Sequence, residues 1–151
     1  MKAVTYQGHK NMEVREVNDP TIEESTDAII KITASGICGS DLHLYHQGDL
    51  FMDPGFVIGH EPMGIVEEVG KDVKTLKKGD RVVIPFNIGC GDCFYCNNHM
   101  ESQCDNSNPS PANWKMDNGG LFGFGAMHGN HWGGQAEYLS CLLYTSDAAD
   151  E

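Results

Sequence analysis

Four cysteines crowd into one short stretch, Cys90, Cys93, Cys96 and Cys104, at the spacing C-x2-C-x2-C-x7-C. Zinc takes four ligands in a tetrahedron, and thiolate is a favoured structural ligand. Two-residue gaps let successive sulfurs turn inward around one ion, and Gly89 and Gly91 relieve the backbone where that turn is tightest. The stretch is read as a structural zinc site. Two other readings stand beside it. A disulfide pair needs an oxidising compartment, and the start of the chain, MKAVTYQGHKNMEVREV, mixes charged and apolar residues too early for a signal peptide. An iron–sulfur cluster shares the C-x2-C-x2-C opening, but that signature continues x3-C-P. Here seven residues precede the fourth cysteine, and Asp105 follows it.

The 151 residues suffice for one domain with its own core, burying roughly 70% of the surface that the unfolded chain exposes. Hydrophobic residues make up 40%, and no run approaches the ~18 apolar residues of a membrane span. The chain reads as a soluble globular domain with the cytoplasm as its default location. A net charge of −12, from 22 acidic against 10 basic residues, repels phosphate backbones. Neither nucleic acid nor membrane is expected as a partner.

Short segments rich in β-branched residues, punctuated by Gly and Pro, make up the rest. Lys2 to Tyr6 and Met12 to Val17 read as two strands around a turn at Gly8 to Asn11. Ala28 to Ala34 alternates, with Ile30, Ile32 and Ala34 on one face and Lys31 and Thr33 on the other, as a half-buried strand does. Ser40 or Asp41 is placed to cap a short helix. Phe56 to Val69 is strand-like but broken at Gly59, Pro62 and Gly64, and Gly70 to Gly79 is a charged turn. Asp80 to Phe86 reads as a buried strand that leads into the cysteine lobe. Asn106 to Gly134 is a long Gly- and Asn-rich loop, of a kind that is functional or mobile in compact domains. Gln135 to Leu139 reads as a last strand. Many short strands and hardly any helix predict a mainly β domain, a barrel or a sandwich.

A second constellation lies upstream. Cys38, Asp41 and His43 precede the tripeptide Gly59-His60-Glu61. If the fold joins these segments, they offer a thiolate and an imidazole with a carboxylate nearby. Catalytic zinc sites use three protein ligands and leave the fourth position open. Taken singly, each residue has an ordinary alternative: a small buried hydrophobe for the cysteine, a hydrogen-bonded core or surface residue for the histidine.

Four blocks, GICGSDLHLYHQG, VIGHEPMGIVEEVG, KKGDRVVIPF and the four cysteines, resemble in order and spacing the N-terminal catalytic domain of zinc-dependent medium-chain alcohol dehydrogenases, the GroES-like domain, from about Lys2 to Leu139. Within that family, SNPSP and GGLFGFGAMHGNHWGGQAEYL are most similar to the glutathione-independent formaldehyde dehydrogenase-like group. The resemblance implies a mainly β, partly open barrel with a zinc-binding lobe and short helices. It implies that Cys38 and His60 are ligands of a catalytic zinc, with Glu61 the adjacent carboxylate that can exchange onto the metal. It gives Asp41 the role of hydrogen-bonding a ligand and fixing an imidazole's tautomer. Ser40 takes the substrate's proton, His43 relays it towards solvent, and Cys90, Cys93, Cys96 and Cys104 hold a structural zinc. The implied reaction interconverts small alcohols and aldehydes. Zinc stabilises the charge that develops on oxygen, and hydride passes to or from NAD or NADP.

No G-x-G-x-x-G follows a strand; Gly119 to Gly125, GGLFGFG, lacks a βαβ setting and reads as a loop. The Rossmann domain, the third protein ligand of the catalytic zinc and the surfaces on which the family forms homo-oligomers are expected outside this chain, which is expected to be inactive alone. One domain over residues 1–139 is expected. Residues 140–151, SCLLYTSDAADE, do not resemble the family's continuation and are expected to be a non-native or disordered tail. A non-catalytic zinc-binding β domain and an iron–sulfur electron carrier are the alternative functions. Trp114, Phe122, Phe124 and Trp132 either line a pocket or anchor the loop that carries them.

Overall fold

The chain opens with an antiparallel hairpin, β1 (Lys2–Gly8) and β2 (Asn11–Glu16). The structure, a computed structural model, describes residues 1–48, 52–108, 118–142 and 147–148. After the hairpin come β3 (Asp27–Ser35), helix α1 (Gly39–Gln47), β4 (Pro62–Val69), β5 (Arg81–Val83) and β6 (Asn87–Ile88). The cysteine lobe carries two single-turn 3-10 helices, Cys96–Asn98 and Glu101–Gln103. Strand β7 (Gly120–Leu121), a 3-10 turn at Ala126–His128, β8 (Tyr138–Leu142) and β9 (Asp147–Ala148) follow. The main sheet has the order β8-β3-β4-β5-β9, and β6 pairs with β7 in a small sheet of its own. Every ladder between named strands is antiparallel.

Burial of β-branched side chains holds the main sheet together. Ile30 of β3 faces Val66 of β4, and both are fully buried beside Val82, Ile84, Ile88, Phe122 and Leu139. A smaller cluster, Tyr6, Met52, Phe56 and Ile58, packs under the hairpin. Two register shifts in the β3–β4 ladder, between Ile29 and Ile30 and between Ile32 and Ala34, break strict alternation. An extra residue in one strand sends the following side chains to the other face. Ile29 is therefore buried although Ile30 beside it is also inside, and Ala34 is exposed although alternation places it with Ile30 and Ile32.

Several segment boundaries differ from the sequence reading. Phe56 to His60 is not part of β4: Val57 bridges Thr5 of the hairpin, and the ladder begins at Pro62. A proline is tolerated at the first position of a strand, where its missing N–H is not needed. The strand expected over Asp80 to Phe86 is confined to β5; Val82 and Ile84 are buried, whereas Val83 and Phe86 lie on the surface. The last strand starts at Tyr138 and runs through Leu142, with Cys141 buried in the core opposite Ala28, and Asp147–Ala148 pair with β5. Within the long loop, Gly120–Leu121 and Ala126–His128 are ordered turns of structure; Trp114 lies outside the described residues.

β3 is an interior strand paired on both edges and Ile30 is fully buried, so truncating Ile30 should be costly. Ile30→Ala should lower stability by about 2–5 kcal/mol. Val14→Ala, at a side chain 68% exposed on β2, should stay within about 0.5 kcal/mol. Equal shifts of the two urea midpoints would overturn this assignment of the core.

Candidate functional site

The four-cysteine lobe leaves the barrel directly after β6. Its sulfurs gather around a common point: all four Sγ atoms lie within 4.8 Å of one another, and those of Cys93 and Cys104 are 3.9 Å apart. Zn–S bonds of about 2.3 Å at tetrahedral angles put sulfurs about 3.8 Å apart, whereas a disulfide holds them at about 2.05 Å. The lobe therefore has the dimensions of a zinc tetrahedron. Backbone N–H groups point at the sulfurs as they do at a thiolate: Cys90 N donates to Cys104 Sγ (3.3 Å), Cys96 N to Cys93 Sγ (3.5 Å) and Asp92 N to Cys90 Sγ (3.5 Å). The Asn106 amide adds a bond to Cys90 Sγ at 3.3 Å.

Gly91 has φ +76, the left-handed conformation expected of it. Gly89 does not need one; a side chain there would press on Glu101 and Cys96. Burial pushes the Cys96 thiol up to about 12. Burial also opposes ionisation of Cys104, but the Ser107 hydroxyl and the N–H groups of Cys90 and Asn106 outweigh it and bring Cys104 down to about 6. As thiolates, four sulfurs this close would repel one another, and a bound cation would offset that repulsion, which is the fit expected of a metal.

The second centre forms where α1 begins. Cys38, not Ser40 or Asp41, is the N-cap. Its sulfur accepts from Ser40 N, and the Asp41 carboxylate, one turn in, accepts from Cys38 N at 2.9 Å. This is a capping box with cysteine in the place of serine. The sequence reading sought a hydroxyl or carboxylate at the cap, where a thiolate does the same work. His60 arrives from the turn that precedes β4. Gly59 before it has φ +103, and a Cβ there would lie 2.5 Å from Gln135 N, so only glycine fits the turn that delivers His60.

Three polar atoms then form a triangle: Cys38 Sγ to Ser40 Oγ 2.9 Å, Cys38 Sγ to His60 Nε2 3.0 Å, and Ser40 Oγ to His60 Nε2 3.0 Å. Behind the imidazole, His60 Nδ1 lies 3.5 Å from Asp41 Oδ1. Both atoms are buried and have no other hydrogen-bond partner. That separation is an ion-pair contact rather than an aligned hydrogen bond. Asp41 lifts His60 to about 8, and the Ser40 hydroxyl and N–H hold the Cys38 thiol below its ordinary value. Burial disfavours the Asp41 carboxylate, but His60 and the Cys38 N–H keep it below its ordinary value. Cys38, Asp41 and His60 make up a second group of ligand atoms within 4.8 Å of one another. A thiolate and an imidazole nitrogen around zinc stand about 3.5 Å apart, so Cys38 Sγ and His60 Nε2, 3.0 Å apart, would need only a small separation to hold one.

Glu61 and His43 stand outside this group. The Glu61 carboxylate lies over Gly36 on the surface, where a Cβ at Gly36 would collide with it. His43 is exposed on α1, its Nδ1 3.3 Å from Gln47 Nε2. Aromatic rings frame the imidazole instead: Phe124 at 4.7 Å between ring centroids and Phe86 edge-on at 6.3 Å. Phe86 was missed in the sequence because it closes a strand pattern and carries no ligand chemistry. Phe122 anchors its loop in the core, Phe124 reaches the site, and Trp132 is partly exposed. A cavity of about 420 Å3 opens beside His60, lined by Ser35, Glu61, Met63, Ile84 and Phe86 among others.

Residues 24–143 match the alcohol dehydrogenase GroES-like domain. An uncharacterised zinc-type alcohol dehydrogenase-like protein, AdhB of Bacillus subtilis (strain 168), is 61% identical over 139 residues, which cover 92% of this chain and 35% of that protein. A glutathione-independent formaldehyde dehydrogenase of Pseudomonas aeruginosa (strain LESB58) is 36% identical over 145 residues, 91% of this chain and 34% of its own length. Among solved structures, the alcohol dehydrogenase TADH from Thermus sp. ATN1 superposes with a TM-score of 0.86 at 38% identity, over 100% of this chain and 40% of its own. The chain thus spans about a third of the length of the curated relatives it matches. Sequence, antiparallel barrel and cysteine centres agree: the chain belongs to the alcohol dehydrogenase GroES-like domain family.

Proposed function

We propose that this chain is the zinc- and substrate-holding domain of an NAD(P)-dependent dehydrogenase that interconverts small alcohols and aldehydes. The observation that carries this reading is the triangle of Cys38 Sγ, Ser40 Oγ and His60 Nε2, with edges of 2.9 to 3.0 Å, beside an apolar-walled cavity. Cys38 and His60 would hold a catalytic zinc, with a further ligand from the remainder of a longer protein; Cys90, Cys93, Cys96 and Cys104 would hold a structural one. Bound at the first centre, zinc lowers the pKa of a substrate hydroxyl and polarises a carbonyl.

The chain's own residues do the rest. Asp41 keeps the proton on His60 Nδ1, so that Nε2 presents a lone pair towards Cys38 and Ser40. Ser40 Oγ accepts the proton of the substrate hydroxyl and passes it on, with exposed His43 as the relay to solvent on the next turn of α1. Phe86 and Phe124 exclude water and hold a short alkyl group against His60. Glu61 sits next to His60 in the chain, and its carboxylate would have to swing off Gly36 to reach the metal. The nicotinamide cofactor and the contacts of a homo-oligomer belong, in this proposal, to the rest of a longer protein. A reducing compartment such as the cytoplasm keeps the thiols available.

Two measurements test the reading. With zinc loaded, a mild chelator should empty the Cys38/His60 centre first, because it has fewer protein ligands and an open face. Cys38→Ala should lack this fast-leaving ion and retain the slow one. Equal retention of both ions in the unsubstituted chain would show that the first centre is closed, not catalytic. In the cobalt-loaded chain, a small primary alcohol or aldehyde should shift the visible bands of the Cys38/His60 centre, and Cys38→Ala should abolish that shift. Bands that ignore both ligands would reduce the chain to a zinc-binding β domain.

A further inference from the structure

The glycine-rich segment from Gly119 to Gly134 is wedged between the two cysteine centres. On one side it is tied to the lobe. Gly119 N donates to Ser102 O at 2.8 Å, and Gly120 N donates to Ser107 Oγ at 2.7 Å. His131 Nε2 lies 2.7 Å from the Ser107 carbonyl. The Asn108 amide, fully buried, donates to the carbonyls of Asn118 and Met127, both at 3.2 Å. On the other side the segment is tied to the turn that carries His60. Gly133 N donates to Val57 O at 2.8 Å and Gly134 N to Gly59 O at 2.9 Å. Gly123 N donates to His131 O at 2.9 Å, and a Cβ at Gly123 would lie 2.7 Å from Gly59 O. The next residue is Phe124, whose ring packs on His60.

We propose that Ser107 is a positioning residue that couples the two centres: metal held by Cys90, Cys93, Cys96 and Cys104 sets, through Ser107 and the Gly119 to Gly134 segment, the seating of Phe124 on His60. Ser107 is three residues past the ligand Cys104 and is 4% exposed. Its hydroxyl oxygen accepts from Gly120 N at 2.7 Å, and a Cβ at Gly119 would lie 3.1 Å from both Cys104 N and Ser107 Oγ. Its carbonyl is the partner of His131. Metal held by the four cysteines would fix Cys104 in place, and with it Ser107 three residues on, Gly120 and His131. From Ser107 to His60 the path is a run of hydrogen bonds and close backbone contacts with no exposed side chain in it, a contiguous network of the kind that can carry coupling between sites. Close contacts at Gly119, Gly120 and Gly123 and a positive φ of 70 at Gly125 account for the glycines of GGLFGFG without nucleotide binding.

The inference rests on the reading that the four cysteines hold zinc, and the experiment separates the two. Zinc is titrated into the full chain carrying Cys38→Ser, which leaves the four-cysteine centre as the tight site. Bound zinc is counted, and the His60 ring is followed by NMR. The His60 resonances should move in step with the first equivalent of zinc, bound at the distant centre. With Ser107→Ala added, one equivalent should still bind, but most of the His60 movement should be lost. In the otherwise unsubstituted chain, Ser107→Ala should weaken cobalt at the Cys38/His60 centre about tenfold. A purely structural role for Ser107 would change the unfolding midpoint without touching the response of His60 to zinc. One equivalent bound with a motionless His60 overturns the coupling and leaves the zinc assignment standing; no zinc bound overturns both. If Ser107→Ala does not fold, the Cys38→Ser titration alone decides.

Discussion

The pairing of Ser35 with Pro62 determines where the Cys38/His60 centre can form. It is the last rung of the β3–β4 ladder, continued by a bond from Gly36 N to Glu61 O at 3.1 Å. Two antiparallel strands leave a shared rung side by side, so a residue three positions past one and a residue two positions before the other emerge at the same edge. Cys38 and His60 are such a pair, 22 residues apart in the chain and 3.0 Å apart in space. The hydrophobic pairing of Ile30 with Val66 further along the same strands holds that register. A slip of one residue would send every side chain of the ladder to the opposite face and part Cys38 from His60.

The polar groups of this centre are in balance only as a set. A buried carboxylate beside a buried imidazole, with a thiolate on the far side of the ring, places two acids around one base. Each partner makes the charged state of the next tolerable, and removing one leaves the others buried without compensation. The four-cysteine lobe has the same logic with less variety: backbone N–H groups supply part of what a cation completes.

The two centres were unequally legible in the sequence. The lobe is contiguous, so spacing alone exposes its ligand set, and its 3.9 Å sulfur separation agrees with that reading. Cys38 and His60 become neighbours only through a ladder register that no local pattern encodes, and resemblance supplied what spacing could not. Alternation failed at Ala34 because the bulge before it is a tertiary event, decided where β3 bends over β4. The helix start was misread by two to three residues because sulfur was not considered as a cap. Nor does a residue type reveal the partners of Ser107, an ordinary serine in an ordinary loop whose hydroxyl meets Gly120 N only in the folded chain.

Cys38 holds two offices at once, since the sulfur that faces His60 also terminates α1. That overlap narrows what natural variation can do here. Alanine loses the sulfur and the cap together and would cost about 1 kcal/mol in helix stability alone. Serine, asparagine or aspartate keeps the helix start while giving up the thiolate. A single codon change to a hydroxyl or carboxylate at position 38 would therefore leave the start of α1 and the β3–β4 ladder in place while removing the sulfur that faces His60.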